Sequence, residues 1–319
     1  VNTTLIGTLS DLHSIPKRLL SHFYPVHITN YSNDTYSVIM KELLKQRLND
    51  YTDNIKSEID KVVNDTIHIF NECKQKLLPI PSKLHYVFNF RNIIRVIRGL
   101  LLCNSSYLKN SNDFLNLWRH EMQREFSDRL STAEDREFLN GMFDNKENVM
   151  FNEFCDESRE YRQLRKSPDE FLKTCMAILE EHNNDSSKPI SITLFQEAIN
   201  HLSSISRVLT MERGHAMLVG VKSSGRKSLA RLSLFIAEME IFEISITRTY
   251  SFIDWREDIK KLMKQCGVEN LQTVFVISDS QIIGDFQLED LSNLLINGEI
   301  PNLFERDEIE KIKSDLTTA

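Results

Sequence analysis

Ala216-Met217-Leu218-Val219-Gly220-Val221-Lys222-Ser223-Ser224-Gly225-Arg226-Lys227-Ser228-Leu229 reads as an apolar strand, a glycine-bounded loop and the start of a helix. A phosphate-holding loop needs that order. The strand fixes the loop, two glycines let backbone N–H groups curl round an anion, and the helix N-terminus turns its positive end toward it. Gly220 and Gly225 have the spacing of the G-x-x-x-x-G-K-[ST] pattern, with Val221, Lys222, Ser223 and Ser224 between them. The next two positions depart from it. Arg226 stands where the pattern has Lys, Lys227 stands where it has Ser or Thr, and Ser228 follows one place late. A planar guanidinium is a poor geometric substitute for a compact ammonium. Lys227 is the larger change, because it replaces the hydroxyl that ligates Mg²⁺ with a cation that repels it. The same residues also suit an ordinary strand-to-helix turn in a doubly wound sheet.

Downstream, Thr273-Val274-Phe275-Val276-Ile277-Ser278-Asp279-Ser280 reads as a strand ending in one carboxylate. Asp279 is the candidate Mg²⁺ ligand, and Ser280 stands where an ATP-hydrolysing site has a Glu to polarise water. The expectation is a site that binds ATP or ADP without hydrolysing it, with no catalytic residue.

Working outward, short apolar runs at residues 216–219, 241–246 and 274–277 alternate with helical patterns at 193–209, 227–238, 254–265 and 286–295. That alternation predicts βαβ units and a parallel sheet. Further upstream the grammar is helical. Ile55, Ile59, Val62, Val63, Thr66, Phe70, Cys73 and Leu77 recur at steps of three and four, predicting one long amphipathic helix between residues 34 and 77, ended by Pro79 and Pro81. Similar patterns predict helices at 90–103, 113–130 and 132–142, with Phe and Trp residues as core. A polar stretch follows, with one apolar run at 171–179 and a loop at 181–189. Three regions result: a mainly helical part at 1–145, a connecting segment at 146–190 and an α/β core at 191–319. The fold class is α/β with a large all-α part.

Composition narrows the function. The 319 residues contain 39 Lys and Arg against 46 Asp and Glu, a net charge of −7, so no global field draws the chain to nucleic acid or an anionic membrane. Cys73, Cys103, Cys155, Cys175 and Cys266 form no C-x-x-C pair, and the nine His residues form no H-x-x-x-H pair, so neither a zinc site nor a disulfide framework is indicated. No apolar stretch approaches the roughly 20 residues of a membrane span. The segment from Asp144 to Glu153 is polar like a cation loop but lacks the central Gly of an EF-hand. The chain begins at Val1 without Met and runs straight into patterned sequence, which leads us to expect part of something larger.

Met211-Glu212-Arg213-Gly214-His215 before the loop, then Phe242-Glu243-Ile244, Arg248-Thr249-Tyr250, Trp255-Arg256-Glu257-Asp258, Ser278-Asp279-Ser280-Gln281-Ile282 and the run from Leu291 to Phe304, together resemble the fourth AAA+ module of dynein heavy chains. Arg18-Leu19-Leu20-Ser21-His22-Phe23, Leu84-His85-Tyr86-Val87-Phe88-Asn89-Phe90-Arg91 and Leu117-Trp118-Arg119-His120-Glu121 resemble the end of the third, so the likeness spans nearly the whole chain. Its wording is axonemal rather than cytoplasmic. The resemblance implies a helical AAA+ lid followed by a P-loop αβα core, within a six-module ATP-driven ring that moves along microtubules. It implies as partners the other AAA+ modules of the same heavy chain, the microtubule through a stalk outside these residues, and intermediate and light chains through other outside regions, with no nucleic acid and no membrane. It implies residence in the cytoskeleton of the cytoplasm, at the axoneme of a cilium or flagellum. By the same resemblance Arg91 matches the lid arginine of the third module. Arg18 lies where such modules present an arginine to a neighbour's nucleotide, although Ser21 stands where relatives often carry a second Arg. Lys222 and Ser223 replace residues that are commonly Gly. Two roles stay open for the second half: a regulatory, non-hydrolysing nucleotide site, or a structural spacer that binds no nucleotide. A self-standing P-loop ATPase or kinase is disfavoured by Arg226, Lys227 and Ser280.

Overall fold

The computed structural model describes residues 16–45, 50–143, 149–154, 159–164, 167–186 and 188–318. The described residues leave out 1–15, Cys155 and 144–148, the first half of the polar segment from Asp144 to Glu153. Among them no helix is long and apolar enough to cross a membrane.

A single turn, α1 (Lys17–Leu20), and an extended segment lead into a helical bundle. The helix expected between residues 34 and 77 is instead two: α2 (Asn33–Lys45) and α3 (Asp53–Lys76). Thr52 takes an extended conformation as the N-cap of α3, and the polar stretch before it breaks the pattern. The two run antiparallel, with Asn71 Nδ2 donating to Asn33 Oδ1 at 3.1 Å and Lys41 paired with Asp60 at 2.7 Å near the other end. Next come α4 (Phe90–Leu102), α5 (Ser111–Met122) and α6 (Ala133–Asn140), whose inward faces bury Ile93, Ile97, Leu100, Phe114, Leu117 and Met122 with Val62, Val63 and Phe70 of α3. At its C-terminal end α5 widens into a π-turn over Gln123–Ser127.

A two-residue antiparallel pair, β1 (Phe151–Asn152) and β2 (Arg162–Gln163), carries the chain from the bundle to α7 (Pro168–Asp185). The loop expected at 181–189 starts later, because α7 continues to Asp185, where buried His182 packs edge-on against Phe235. Helix α7 shares a core with α8 (Gln196–Thr210) and α9 (Arg226–Ile236), built on Phe171, Cys175, Ile199, Leu202, Leu229 and Leu232. The third core lies beside the sheet: β3 (Glu240–Glu243) pairs in parallel with β4 (Thr273–Val276), connected by α10 (Phe252–Gly267) and followed by α11 (Asp285–Asn297) and α12 (Arg306–Thr318). A parallel pair joined through a helix is the expected βαβ unit.

The strand expected at residues 216–219 does not form: the run has no regular secondary structure and makes no backbone hydrogen bond among the described residues. Leu218 packs on the α7–α9 core, whereas Met217 and Val219 are 88% and 85% exposed. β3 and β4 pair with each other, and no described strand lies alongside this run, so its backbone has no ladder to join.

The bundle meets the second core at one buried ion pair. Arg207 of α8 donates from Nε to Glu121 Oε2 of α5 at 3.0 Å and again from Nη2, with side-chain exposures of 3% and 0%. Tyr161 donates its hydroxyl to Glu121 Oε1 at 2.6 Å. Beside it Arg124 donates to Ser204, which donates to Asp128 at 3.2 Å. The carboxylate also presses on α4: a Cβ on Gly99 would lie 1.6 Å from Glu121 Oε2. Ala at a helix interior normally gains about 1 kcal/mol over Gly. Here Gly99→Ala is expected to destabilise, and Arg207→Met to cost about 3–5 kcal/mol by leaving a buried carboxylate uncompensated. Chemical denaturation of both variants checks the sign and the size.

At the far end of the bundle, burial pushes the Asp135 carboxyl up, but hydrogen bonds from Lys83 (2.5 Å), Thr132 and Tyr86 (2.8 Å) overcome it and hold the group at about 2, against an ordinary 3.8. A depressed carboxylate contributes stability that is complete above its unfolded value and is lost as pH falls through the folded one. Between about pH 4 and pH 2, Asp135→Asn should therefore flatten part of the decline in melting temperature seen for the unaltered chain.

Candidate functional site

The glycine-bounded loop is set by its flanks. Leu229 and Leu232 anchor α9 in the second core, and Leu218 anchors the apolar run before the loop. Between them the backbone reverses: Ser224 N–H donates to the Val221 carbonyl at 3.3 Å and Ser223 takes a φ of +64°. Gly225 is the N-cap of α9, with φ 78° and ψ 8°, the left-handed region that costs a residue with a Cβ about 1–2 kcal/mol.

Among the described helices of eight residues or more, this start alone combines an uncapped N-terminus with a first turn free of acid. No side chain caps it and no acidic residue occupies its first turn. α10, by contrast, is capped by the Ser251 side chain and has Asp254 in its first turn. The first N–H groups of a helix carry partial positive charge and need an acceptor. At α9 the two leading side chains, Arg226 and Lys227, are themselves cations, so charge accumulates where helices usually offset it. Lys227 is exposed, Arg226 and Ser228 are half-buried, and Lys222, Ser223 and Ser224 are exposed. Such an end is suited to a phosphate. Over Gly220 the space is already narrow: a Cβ there would meet Ser224 Oγ at 2.9 Å and Arg226 Cδ at 3.5 Å.

Asp279 begins a 3-10 turn, Asp279–Gln281, just past β4. It is exposed, and its Oδ1 accepts the Ser280 N–H at 3.0 Å. The turn is tied to the end of β3 by Gln281, whose Nε2 donates to the Ile244 carbonyl at 2.6 Å while its Oε1 accepts from Ser278. Asp279 makes no hydrogen bond or ion pair with residues 220–228 among the described residues. What connects the two strand-end regions is a pair that sequence reading missed: Arg231 of α9 grips Glu243 at the end of β3 through both carboxylate oxygens, at 2.9 and 3.1 Å. Both contacts run from the one nitrogen, Nη2, so the pair ties α9 to the end of β3 through a bifurcated, charge-assisted contact. Its only sequence signal is the opposite charges on adjoining predicted elements.

A second missed group secures the module's far side. Buried Trp255 donates to Asp290 at 2.9 Å, and Arg256 reaches Asp290 at 3.2 Å and the Pro301 and Asn302 carbonyls at 3.0 and 3.2 Å. Arg91 and Arg18 are remote from the loop in sequence and are both exposed. Arg91 lies in the first turn of α4, its backbone N–H capped by Asn89, and Arg18 lies on the isolated turn α1.

Comparison with known proteins bears on both halves. Residues 190–319 match the family described as P-loop containing dynein motor region D4, and residues 39–136 match the dynein heavy chain ATPase lid domain. Human dynein axonemal heavy chain 2 is 36% identical over 318 residues, covering 95% of this chain and 7% of that protein. The dynein-1-beta heavy chain of the flagellar inner arm I1 complex of Chlamydomonas reinhardtii is 33% identical over 96% of the chain and 7% of its own length. Human dynein axonemal heavy chain 6 is 30% identical over 93% and 8%. The chain thus spans less than a tenth of the length of these relatives.

If the left-handed cap holds the loop, Gly225→Ala should cost about 1–2 kcal/mol. The added Cβ also meets Ile192 Cδ1 at 3.2 Å, and thermal melting reads the loss.

Proposed function

Since the chain belongs to the dynein heavy-chain family, we propose that it joins the lid of one AAA+ module to the phosphate-binding core of the next, in an ATP-driven, microtubule-based motor of the axoneme. Its own loop holds ATP or ADP as a regulatory ligand and does not hydrolyse it. The axonemal and flagellar relatives support the cellular setting. Other AAA+ modules of the same heavy chain are the immediate partners. Microtubules, and intermediate and light chains, are engaged through parts of the heavy chain other than these residues.

The observation that carries the nucleotide reading is the first turn of α9: an uncapped helix start led by Arg226 and Lys227 behind a left-handed Gly225. Residues 220–228 would hold the β-phosphate region through backbone N–H groups and these two cations. Loss of hydrolysis follows from Ser280, whose hydroxyl has no carboxylate basicity to draw a proton from water. Arg91 is the lid arginine in this reading and acts on nucleotide held by the preceding module, not on this loop. Arg18 is a weaker candidate for contact with a neighbouring module.

One observation favours the spacer alternative, in which packing alone is the module's role. Ser224 Oγ already occupies the space beside Gly220, and the interface at Arg207 and Glu121 is complete without any ligand.

Titration of a fluorescent ATP analogue decides between them. The expected result is saturable binding that Arg226→Ala weakens about tenfold or more, as for loss of a charge-assisted hydrogen bond. No phosphate release above the blank should accompany it. Release abolished by Asp279→Ala would overturn the non-hydrolysing reading, and no binding at all would leave the spacer.

A further inference from the structure

The divalent ion that accompanies nucleotide in P-loop sites does not fit this one. Mg²⁺ takes six hard oxygen ligands at close range, and in such loops the protein contributes a Ser or Thr hydroxyl and an acidic oxygen. The hydroxyl position here is Lys227, an exposed ammonium in the first turn of α9, directly after Arg226. Ser228 is one residue later, which on a helix turns its side chain about 100° from the position it would need to occupy. The candidate carboxylate, Asp279 after β4, spends Oδ1 on the Ser280 N–H and is flanked by Ser278 and Ser280, not by a second acid. Among the described residues no group of three His, Cys, Asp or Glu is placed to hold a metal ion. The first turn of α9 carries no acid to offset its two cations.

We propose that this loop binds a nucleoside di- or triphosphate in its metal-free form, the Lys227 ammonium supplying the charge that Mg²⁺ supplies elsewhere. The proposal rests on the nucleotide reading above and sharpens it. A bare polyphosphate carries more negative charge than its Mg²⁺ complex, so two fixed cations and an uncapped helix start favour it electrostatically. Lys227 also has three rotatable donors on a flexible stem, which let it follow phosphate oxygens that a rigid metal shell would otherwise order. The metal dependence of this site is thereby inverted: Mg²⁺ competes for the ligand without completing the site.

The test titrates N-methylanthraniloyl-ADP and N-methylanthraniloyl-ATP onto the 319-residue chain in EDTA and in excess Mg²⁺, with Lys227→Thr and Lys227→Arg in parallel. Circular dichroism and a cooperative melt establish that each protein is folded. The expected result is binding by the unaltered chain in EDTA that is equal to or tighter than binding in Mg²⁺. Lys227→Thr should lose about tenfold or more in EDTA, the scale of one charge-assisted hydrogen bond, while Lys227→Arg keeps most of the affinity. Binding by the unaltered chain only when Mg²⁺ is present would overturn the proposal and leave the nucleotide reading standing. Equal binding of Lys227→Thr and the unaltered chain in EDTA would also overturn it, since the charge would then come from elsewhere. No binding in either buffer by folded protein would overturn the nucleotide reading and this inference with it.

Discussion

The most deeply buried contact between the two halves of the chain, among the described residues, is a charge pair, Glu121 with Arg207. Removing a carboxylate and a guanidinium from water costs several kcal/mol per ion, and only close geometry with full hydrogen bonding offsets it. Glu121 meets that condition: Arg207 engages both its oxygens and Tyr161 donates to one of them. Burial by itself would pull the Arg207 pKa down, and the neighbouring Glu121 carboxylate reverses this and drives it up, so the guanidinium stays charged. His120 beside it goes the other way, its pKa lowered well below the ordinary range by burial and by Arg124 and Arg207, so the ring stays neutral. The pair tolerates no spare charge and no spare volume. The Cβ forbidden at Gly99 shows how closely α4, α5 and α8 meet there. Packing this close resists independent displacement of α4, α5 and α8.

The π-turn at the end of α5 extends that connection in two directions. On one side Arg124 and Asp128 hold Ser204 of α8. On the other, Glu125 accepts from Asn92 at 3.3 Å and pairs with Arg129 at 3.5 Å, bracing the start of α4, where Arg91 stands. A π-turn shifts the register of the side chains beyond it, which lets successive residues serve opposite partners. Packed helices and hydrogen bonds therefore run from the start of α4, where Arg91 stands, to α8 ahead of the glycine-bounded loop.

Local pattern made most of the helices legible, and it failed where long-range partners decide the outcome. α4, with Ile93, Ile97 and Leu100 on one stripe, was readable because a helix's buried face repeats within its own sequence. The break between α2 and α3 falls in a short polar stretch that the exposed face of one long helix could also carry, while the antiparallel packing that favours two helices involves Asn33 and Asn71, far apart in sequence. Residues 216–219 look like a strand by composition, but a strand is defined by a neighbour, and apolar residues cannot report one. Glycines and cations at 220–227 were visible as a motif. The crowding of Gly220 by Ser224 was not, since it depends on a loop dihedral at Ser223. Glu121 and Arg207 are 86 residues apart. Their one local trace is a charge on an otherwise buried helix face, which gives no partner's address.

The apolar run before the loop has a practical side. From residue 216 to 219 its backbone makes no hydrogen bond among the described residues, and Met217, Val219 and Val221, the last 79% exposed, all face outward from the second core. Such a run is a template for any extended segment that drifts past, including the same stretch of another molecule. An exposed apolar run of this kind favours self-association of this chain in concentrated solution. Preparations of this chain would keep best when dilute, or with a short β-forming peptide supplied to cover that run.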